Sequence, residues 1–195
     1  SLLKNKKIIS VDTETNSLNP IDADLVGISF CYSPNKACYI PLKHSTQKCL
    51  EKSFVLNKVK KILEDKSIKK VGQNIKFDYI IFLKNKIKVN SIEDTMLMSY
   101  TLDAGKHRHN MDDLSEIHLG HKTISFKEVT GTGKNQISFD KVPIKLATEY
   151  AAEDADVTFR LYNIFKERLD KEKLLKIYEI FEKPLVTILS QMEIE

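Results

Sequence analysis

Along the chain, apolar and polar positions alternate first with a period of two and later with a period near 3.6. Ile8, Ile9 and Val11 form a β-favouring run over residues 7 to 12, closed by the turn formers Thr15, Asn16, Ser17, Asn19 and Pro20. That pattern predicts a strand. LVGISFCYS (25 to 33) and KACYIPL (36 to 42) predict two more, joined by a turn at Pro34 and Asn35. Three successive strands suggest an antiparallel meander. From Ser53 onward, Phe54, Val55, Val59, Ile62 and Leu63 recur at spacings of three and four, which marks a helix. IKKVGQN then reads as a short strand ending at Gly72, and IKFDYIIFLKN as a helix. SIEDTMLMSYTLD (91 to 103) predicts a further helix entered through a strand at KIKVNSI, and MDDLSEIHL (111 to 119) another that starts near Asn110 or Met111. Residues 120 to 139 are polar and aperiodic, and read as a mobile basic loop. Pro143 fits the first turn of a long helix holding TEYAAEDADVTFRLYNIFKERL, and IYEIFEKPLVTILSQMEIE reads as a final amphipathic helix. A β-meander followed by alternating helices and short strands predicts a mixed α/β domain.

Composition adds bounds. At 195 residues, with 42% hydrophobic and 30% charged positions and only 6 Gly and 5 Pro, the chain can bury a sizeable core and is not a disordered sequence. Its net charge of +4 permits an anionic partner without demanding one. All but three of the 31 basic residues are Lys, the exceptions being Arg108, Arg160 and Arg168, which argues against a large bidentate phosphate-reading surface. Cys31, Cys38 and Cys49 lack CxxC spacing and fit a reducing compartment. No apolar run approaches the roughly 18 residues of a membrane span. The chain begins with Ser and is expected to be a cytoplasmic, monomeric piece of something larger.

The candidate chemistry lies in carboxylates. In a strand, Asp12 and Glu14 of VDTET share a face and repel each other. A bound cation would offset that repulsion; a solvated strand end is the plainer explanation on these residues alone. In VGQNIKFD, Asn74 and Asp78 lie four apart on a helix face, as do Tyr150 and Asp154 in YAAEDAD. Each pair by itself is more often a solvated face than a site.

Taken in order, the set D-x-E on a strand, N-x-x-x-D after a strand and turn, and Y-x-x-x-D on a long helix resembles the proofreading 3'-to-5' exonuclease domain of bacterial DNA polymerase I, in the DEDDy exonuclease superfamily. The resemblance runs on through DTMLMSY, MDDL, HKTISF and GKNQISF. It implies a ribonuclease-H-like α/β fold, a mixed central sheet flanked by helices, over residues 1 to 170. Residues 171 to 195 would be a helix leading into a polymerase domain. The implied activity is metal-dependent removal of nucleoside 5'-monophosphates from single-stranded or frayed DNA 3' ends. Two divalent ions, Mg²⁺ or Mn²⁺, would be held by Asp12, Glu14, Asp78 and Asp154, with Tyr150 and Glu14 orienting the attacking water. Asp12 would bridge both ions, and Asp78 would serve the second through water. Hard cations suit such an oxygen-only donor set, and a phenol that ionises near pH 10 is no strong base at pH 7. By the same resemblance, Leu18, Gln73, Asn74, Arg108 and Phe126 would contact the DNA strand. The other functions to weigh are an RNA-trimming exonuclease of the same superfamily and a non-catalytic scaffold or DNA-binding module. The closeness of YAAEDADVT and KNQISF to the polymerase version weighs against the first, and the intact acids and tyrosine against the second.

Other signals are set aside. GTGKNQ lacks GxxxxGK[ST]. His107 and His109 show no Cys or carboxylate set at zinc spacing and read as surface residues. Asp103, Asp112 and Asp113 read as solvated or capping, and Asp94 receives no catalytic role.

Overall fold

The computed structural model describes residues 2 to 45 and 47 to 195. Five strands form one mixed sheet in the order β3-β2-β1-β4-β5. β1 (Ile8–Thr15) lies at its centre, antiparallel to β2 (Leu25–Cys31), which pairs antiparallel with β3 (Ala37–Pro41). On the other side β1 runs parallel to β4 (Lys69–Gly72), and β4 parallel to β5 (Ile92–Asp94). The meander expected from the first 42 residues is present. The parallel half arises because α1 (Lys52–Leu63) and α2 (Lys76–Lys84) carry the chain back between successive strands, as parallel pairing requires.

Alternation along β1 divides the core between the faces of the sheet. Ile9 and Val11 point to one face, with Ile28 and Phe30 of β2, and pack against Val55, Val59, Ile62 and Leu63 of α1 and Ile81 and Phe82 of α2. Full burial of such side chains contributes roughly 1.5 to 3 kcal/mol each. Ser10, on the other face, donates to the Ala155 carbonyl at 2.6 Å, so α6 (Ile144–Lys171) lies there. Buried Ala147, Ala151 and Ala155 recur every four residues along α6 and let the helix approach the sheet closely. Farther along, Val157, Leu161, Tyr162 and Phe165 build a second core with Met98 and Leu102 of α3 (Thr95–Asp103) and Leu114 of α4 (Met111–Leu119).

Four features depart from the sequence reading. The segment KIKVNSI is not a strand. Lys86 and Ser91 take φ of 60° and 54°, which breaks extended pairing, while Ile87 and Val89 anchor the segment in the core; β5 begins at Ile92. Residues 120 to 139 are not one loop, since they hold α5 (Phe126–Thr130), nucleated by a Ser125/Glu128 capping box, and a short 3-10 turn (Gly133–Asn135), with another beginning at Phe139. The last helix runs unbroken but not as one α-helix: α7 (Leu175–Ile177) passes through a π-helical turn (Tyr178–Glu182) into α8 (Lys183–Ile194). Pro184 near the start of α8 has no N–H for the carbonyl four residues back, and a π-turn there absorbs the mismatch. Asp103 is not solvated, being only 4% exposed and gripped by Arg168. Among the described residues, no helix is long and apolar enough to cross a membrane.

Candidate active site

A cavity of about 700 Å³ opens at the C-terminal end of β1, and Asp12, Glu14, Asp78, Tyr150 and Asp154 all line it. Each arrives by a different local device. β1 aims Asp12 and Glu14 toward the α6 face, with a register irregularity between Glu14 and Thr15 where the ladder with β2 shifts. Bulges of this kind re-aim side chains beside functional sites. Glu14 faces Gly27 across the ladder, and a Cβ at Gly27 would stand 2.1 Å from the Tyr39 hydroxyl oxygen, so glycine is required for the Tyr39 ring to lie there. Tyr150 and Asp154 sit one turn apart on α6.

Asp78 comes from the opposite layer, in the first turn of α2. Thr13, pointing away from Asp12 on the same strand, fixes it: both the Thr13 amide (2.8 Å) and its hydroxyl donate to Asp78 Oδ1. One oxygen of Asp78 is thus held on the cavity wall.

The acids are under electrostatic stress. Glu14, Asp78 and Asp154 are at most 6% exposed. Burial pushes Asp12 up to about 7, moderated by the Thr13 amide. Burial, and then the charge of Asp12, raise Glu14, Asp78 and Asp154 well above the carboxylate range; Thr13 relieves Asp78 in part, and Tyr150 relieves Asp154. Glu14 Oε1 and Asp154 Oδ1 are buried without a hydrogen-bond partner. Carboxylate oxygens of Asp12, Glu14 and Asp154 lie within 4.8 Å of one another. Buried, unpartnered, mutually repelling carboxylates form an oxygen-only donor set of the kind a divalent cation neutralises. Burial and the neighbouring carboxylates raise the Tyr150 phenol above its ordinary value, so it stays protonated at neutral pH.

Leu18, Gln73, Asn74 and Phe126 also line the cavity, whereas Arg108, exposed on the α3–α4 connection, does not. Leu18 is 86% exposed, so it is not a core residue. Phe126 stacks on Phe139 at 6.2 Å and meets Tyr150 edge-on. Gln73 is held at both ends of its amide, donating to the His109 carbonyl and accepting from Thr95. Asn74 takes φ of 55°, a left-handed conformation that Asn tolerates better than most residues.

Sequence reasoning missed Asp94. Its carboxylate accepts from the amides of Asn74 (3.1 Å) and Ile75 (3.0 Å) at the entry to α2, and from Met96 (2.9 Å) at the start of α3. One buried side chain therefore joins the two helix starts on which Asn74 and Asp78 depend. The capping part was legible in D-T-M-L, because Asp is a favoured N-cap; the reach across to Asn74 was not. Asp94→Ala is expected to lower unfolding free energy by about 2 to 3 kcal/mol, through orphaned amides. Urea denaturation of both proteins measures this, and a change below 0.5 kcal/mol would contradict the bridging role.

Residues 1 to 170 match the family model described as 3'-5' exonuclease. DNA polymerase I of Rhizobium leguminosarum is 42% identical over 95% of the chain, and that of Pseudomonas aeruginosa 39% over 98%. The chain spans 20% and 22% of the lengths of these relatives. Among solved structures, Brucella melitensis NrnC superposes with a TM-score of 0.74 at 20% identity, covering 97% of this chain and 85% of that one. That likeness establishes the ribonuclease-H-like α/β fold. The chain belongs to the 3'-5' exonuclease family of bacterial DNA polymerase I.

Proposed function

We propose that this chain hydrolyses DNA from the 3' end, one nucleoside 5'-monophosphate at a time, on single-stranded or frayed ends, and serves as the proofreading part of a DNA polymerase whose polymerase domain lies on the same parent chain. The observation that carries this reading is the convergence of the four acids and Tyr150 in one cavity, with carboxylate oxygens left unpartnered. A scaffold module has no reason to keep such a costly cluster.

Asp12, Glu14 and Asp154 would hold one divalent ion, and Asp12, with Asp78 acting through water, a second. Bound there, Mg²⁺ or Mn²⁺ would supply Lewis-acid activation of water and charge stabilisation on the leaving oxygen. The chain's own residues do the rest. Thr13 holds Asp78 in place, Tyr150 with Glu14 orients the water for in-line attack, and the protonated phenol donates rather than abstracts. Leu18 is positioned to wedge against the terminal base, and Phe126 to offer a stacking face.

A 5'-labelled single-stranded DNA oligonucleotide incubated with this chain and Mg²⁺ or Mn²⁺ should give a ladder shortening from the 3' end, abolished by EDTA. An RNA oligonucleotide of the same sequence, run in parallel, should be cut more slowly; faster cutting of RNA would replace the DNA reading with an RNA-trimming one. No ladder from a folded, DNA-binding sample would count against an autonomous exonuclease.

Two side-chain predictions follow from the geometry. Tyr150→Phe should lower turnover about 100-fold, because a misplaced water costs on that scale, while calorimetric metal affinity stays unchanged; equal activity would remove Tyr150 from the mechanism. Leu18→Ala should weaken single-stranded DNA binding by about 1 kcal/mol through lost apolar contact with no shift in melting temperature, since the side chain packs against almost nothing. Fluorescence anisotropy with a labelled oligonucleotide reads the first change and a thermal melt the second.

A further inference from the structure

Among the described residues, a second group of metal-ligating side chains stands apart from the acidic cavity: Asp103 at the end of α3, His107 in the connection to α4, and His118 in the last turn of α4. The surface reading of His107 does not hold. It is half-buried, with its ring 5.8 Å from that of His118, which in turn meets Phe165 edge-on at 4.9 Å.

The hydrogen bonds leave one polar atom of each residue open to a ligand. His107 Nδ1 lies 2.8 Å from the Arg108 carbonyl. A carbonyl only accepts, so Nδ1 carries the proton and Nε2 of the neutral ring is a free donor to a metal, the arrangement by which a ligating histidine is usually oriented. His118 Nε2 is buried and has no hydrogen-bond partner at all. Asp103 Oδ1 accepts from Lys106 (2.8 Å) and Arg168 Nη2 (3.1 Å), but Oδ2 accepts only from Arg168 Nη1 (2.6 Å). An ionised carboxylate offers about four lone-pair sites. One is left on Oδ2, which stands 3.8 Å from His107 Nε2. One ligand atom from each of the three residues lies within 4.8 Å of the other two.

We propose that Asp103 Oδ2, His107 Nε2 and His118 Nε2 bind one late first-row divalent cation, with Zn²⁺ as the representative ion, and that this ion clasps the α3–α4 connection to the body of the domain. Ligand atoms around tetrahedral Zn²⁺ sit about 3.4 Å apart, given arms near 2.1 Å. The site must therefore contract by about 1 Å. The connection can supply that movement, because Gly105 takes φ of 77° with open space around it and the neighbouring residues are exposed. Burial lowers the His118 pKa and favours the neutral, ligating ring. The positive charges of Arg168 and Lys106 work against any cation here. They select for ions that gain most from imidazole, and against Mg²⁺, which prefers oxygen and water. Clasping would order the segment that carries Arg108 and leads directly into Met111, a residue lining the substrate cavity.

The test is a Zn²⁺ titration of this chain in millimolar Mg²⁺, which occupies the oxygen site, followed by imidazole ¹⁵N NMR. One equivalent should shift the Nε2 resonances of His107 and His118 and leave those of His44 and His121 in place. Amide exchange over residues 105 to 110 should slow at the same time. In His107→Ala, a substitution of a half-exposed connection residue, Zn²⁺ should no longer move the His118 resonance or slow the exchange. Unmoved histidine resonances, saturation at residues outside this trio, or undiminished binding in His107→Ala would each overturn the proposal.

Discussion

Asp12→Ala is expected to lower exonuclease activity at least about 1,000-fold, while raising the melting temperature of the metal-free protein. The first effect follows from position. The charge of Asp12 raises the pKa of Glu14, Asp78 and Asp154 alike. In the proposed mechanism it is the acid that shares a cation with both halves of the set. Losing charge stabilisation of that kind costs several kcal/mol at the transition state. The second effect has the opposite sign because removing Asp12 removes repulsion inside a poorly solvated cavity. An inactive yet more heat-resistant variant excludes misfolding as the cause of inactivity. Digestion of the labelled oligonucleotide, with a thermal melt in EDTA, reads both. Activity within tenfold of the parent would mean that Asp12 is not the shared ligand. A lowered melting temperature would mean that the carboxylate is there for structure.

Much of this arrangement was legible in the chain, and the reasons differ from element to element. Alternation in Ile8–Thr15 was enough to place Asp12 and Glu14 on one face, because a strand has no freedom to do otherwise. Helical spacing likewise put Tyr150 beside Asp154. Apolar runs without context were read less well. Ile87 and Val89 looked like a strand because β-branched residues suit both a sheet and a core anchor, and only the positive φ of Lys86 and Ser91 decides between them. What could not be read were the long-range polar contacts. Thr13 reaches Asp78 across 65 residues, and Asp94 reaches Asn74 across 20. Arg168 pairs with Asp103 across another 65, which turned an apparently solvated acid into a buried one. Each depends on which elements meet in space. Spacing within one element carries no trace of them. The family resemblance supplied the grouping of the five site residues, and local pattern alone would have left each as a solvated face.

In the absence of divalent ions, the protein is expected to lose stability as pH rises through neutrality, and to regain it when Mg²⁺ or Mn²⁺ is added. Asp12 ionises near pH 4 in an unfolded chain but at about 7 in the folded one, and Glu14, Asp78 and Asp154 shift in the same upward direction. A carboxyl whose folded pKa is raised binds its proton more tightly when folded. Its favourable contribution is therefore complete below the unfolded value, near pH 4, and is lost progressively as pH climbs through the folded one. For Asp12 alone the difference between those limits is about 4 kcal/mol, a large share of a typical domain's stability. The trend is opposite to ordinary acid denaturation, in which salt-bridged carboxylates lose their charge as pH falls. Asp103, held far below the usual carboxylate range by Arg168, contributes in that ordinary sense, and only at pH values below 4. Asp94, raised to about 6 by burial, adds to the loss, whereas His44, His109 and His118, lowered by burial, oppose it below the ordinary histidine value. A divalent ion that binds only the ionised, folded form reverses the slope, and its stabilisation grows with pH because no proton then has to be displaced. Urea unfolding at pH 5, 6, 7 and 8, in EDTA and again in millimolar Mg²⁺, gives the two curves. They should lie together at pH 5 and diverge by pH 8, with Asp12→Ala flattening the EDTA curve. Parallel curves at every pH would show that these carboxyls carry no such stress and that the cavity does not owe its charge balance to a cation.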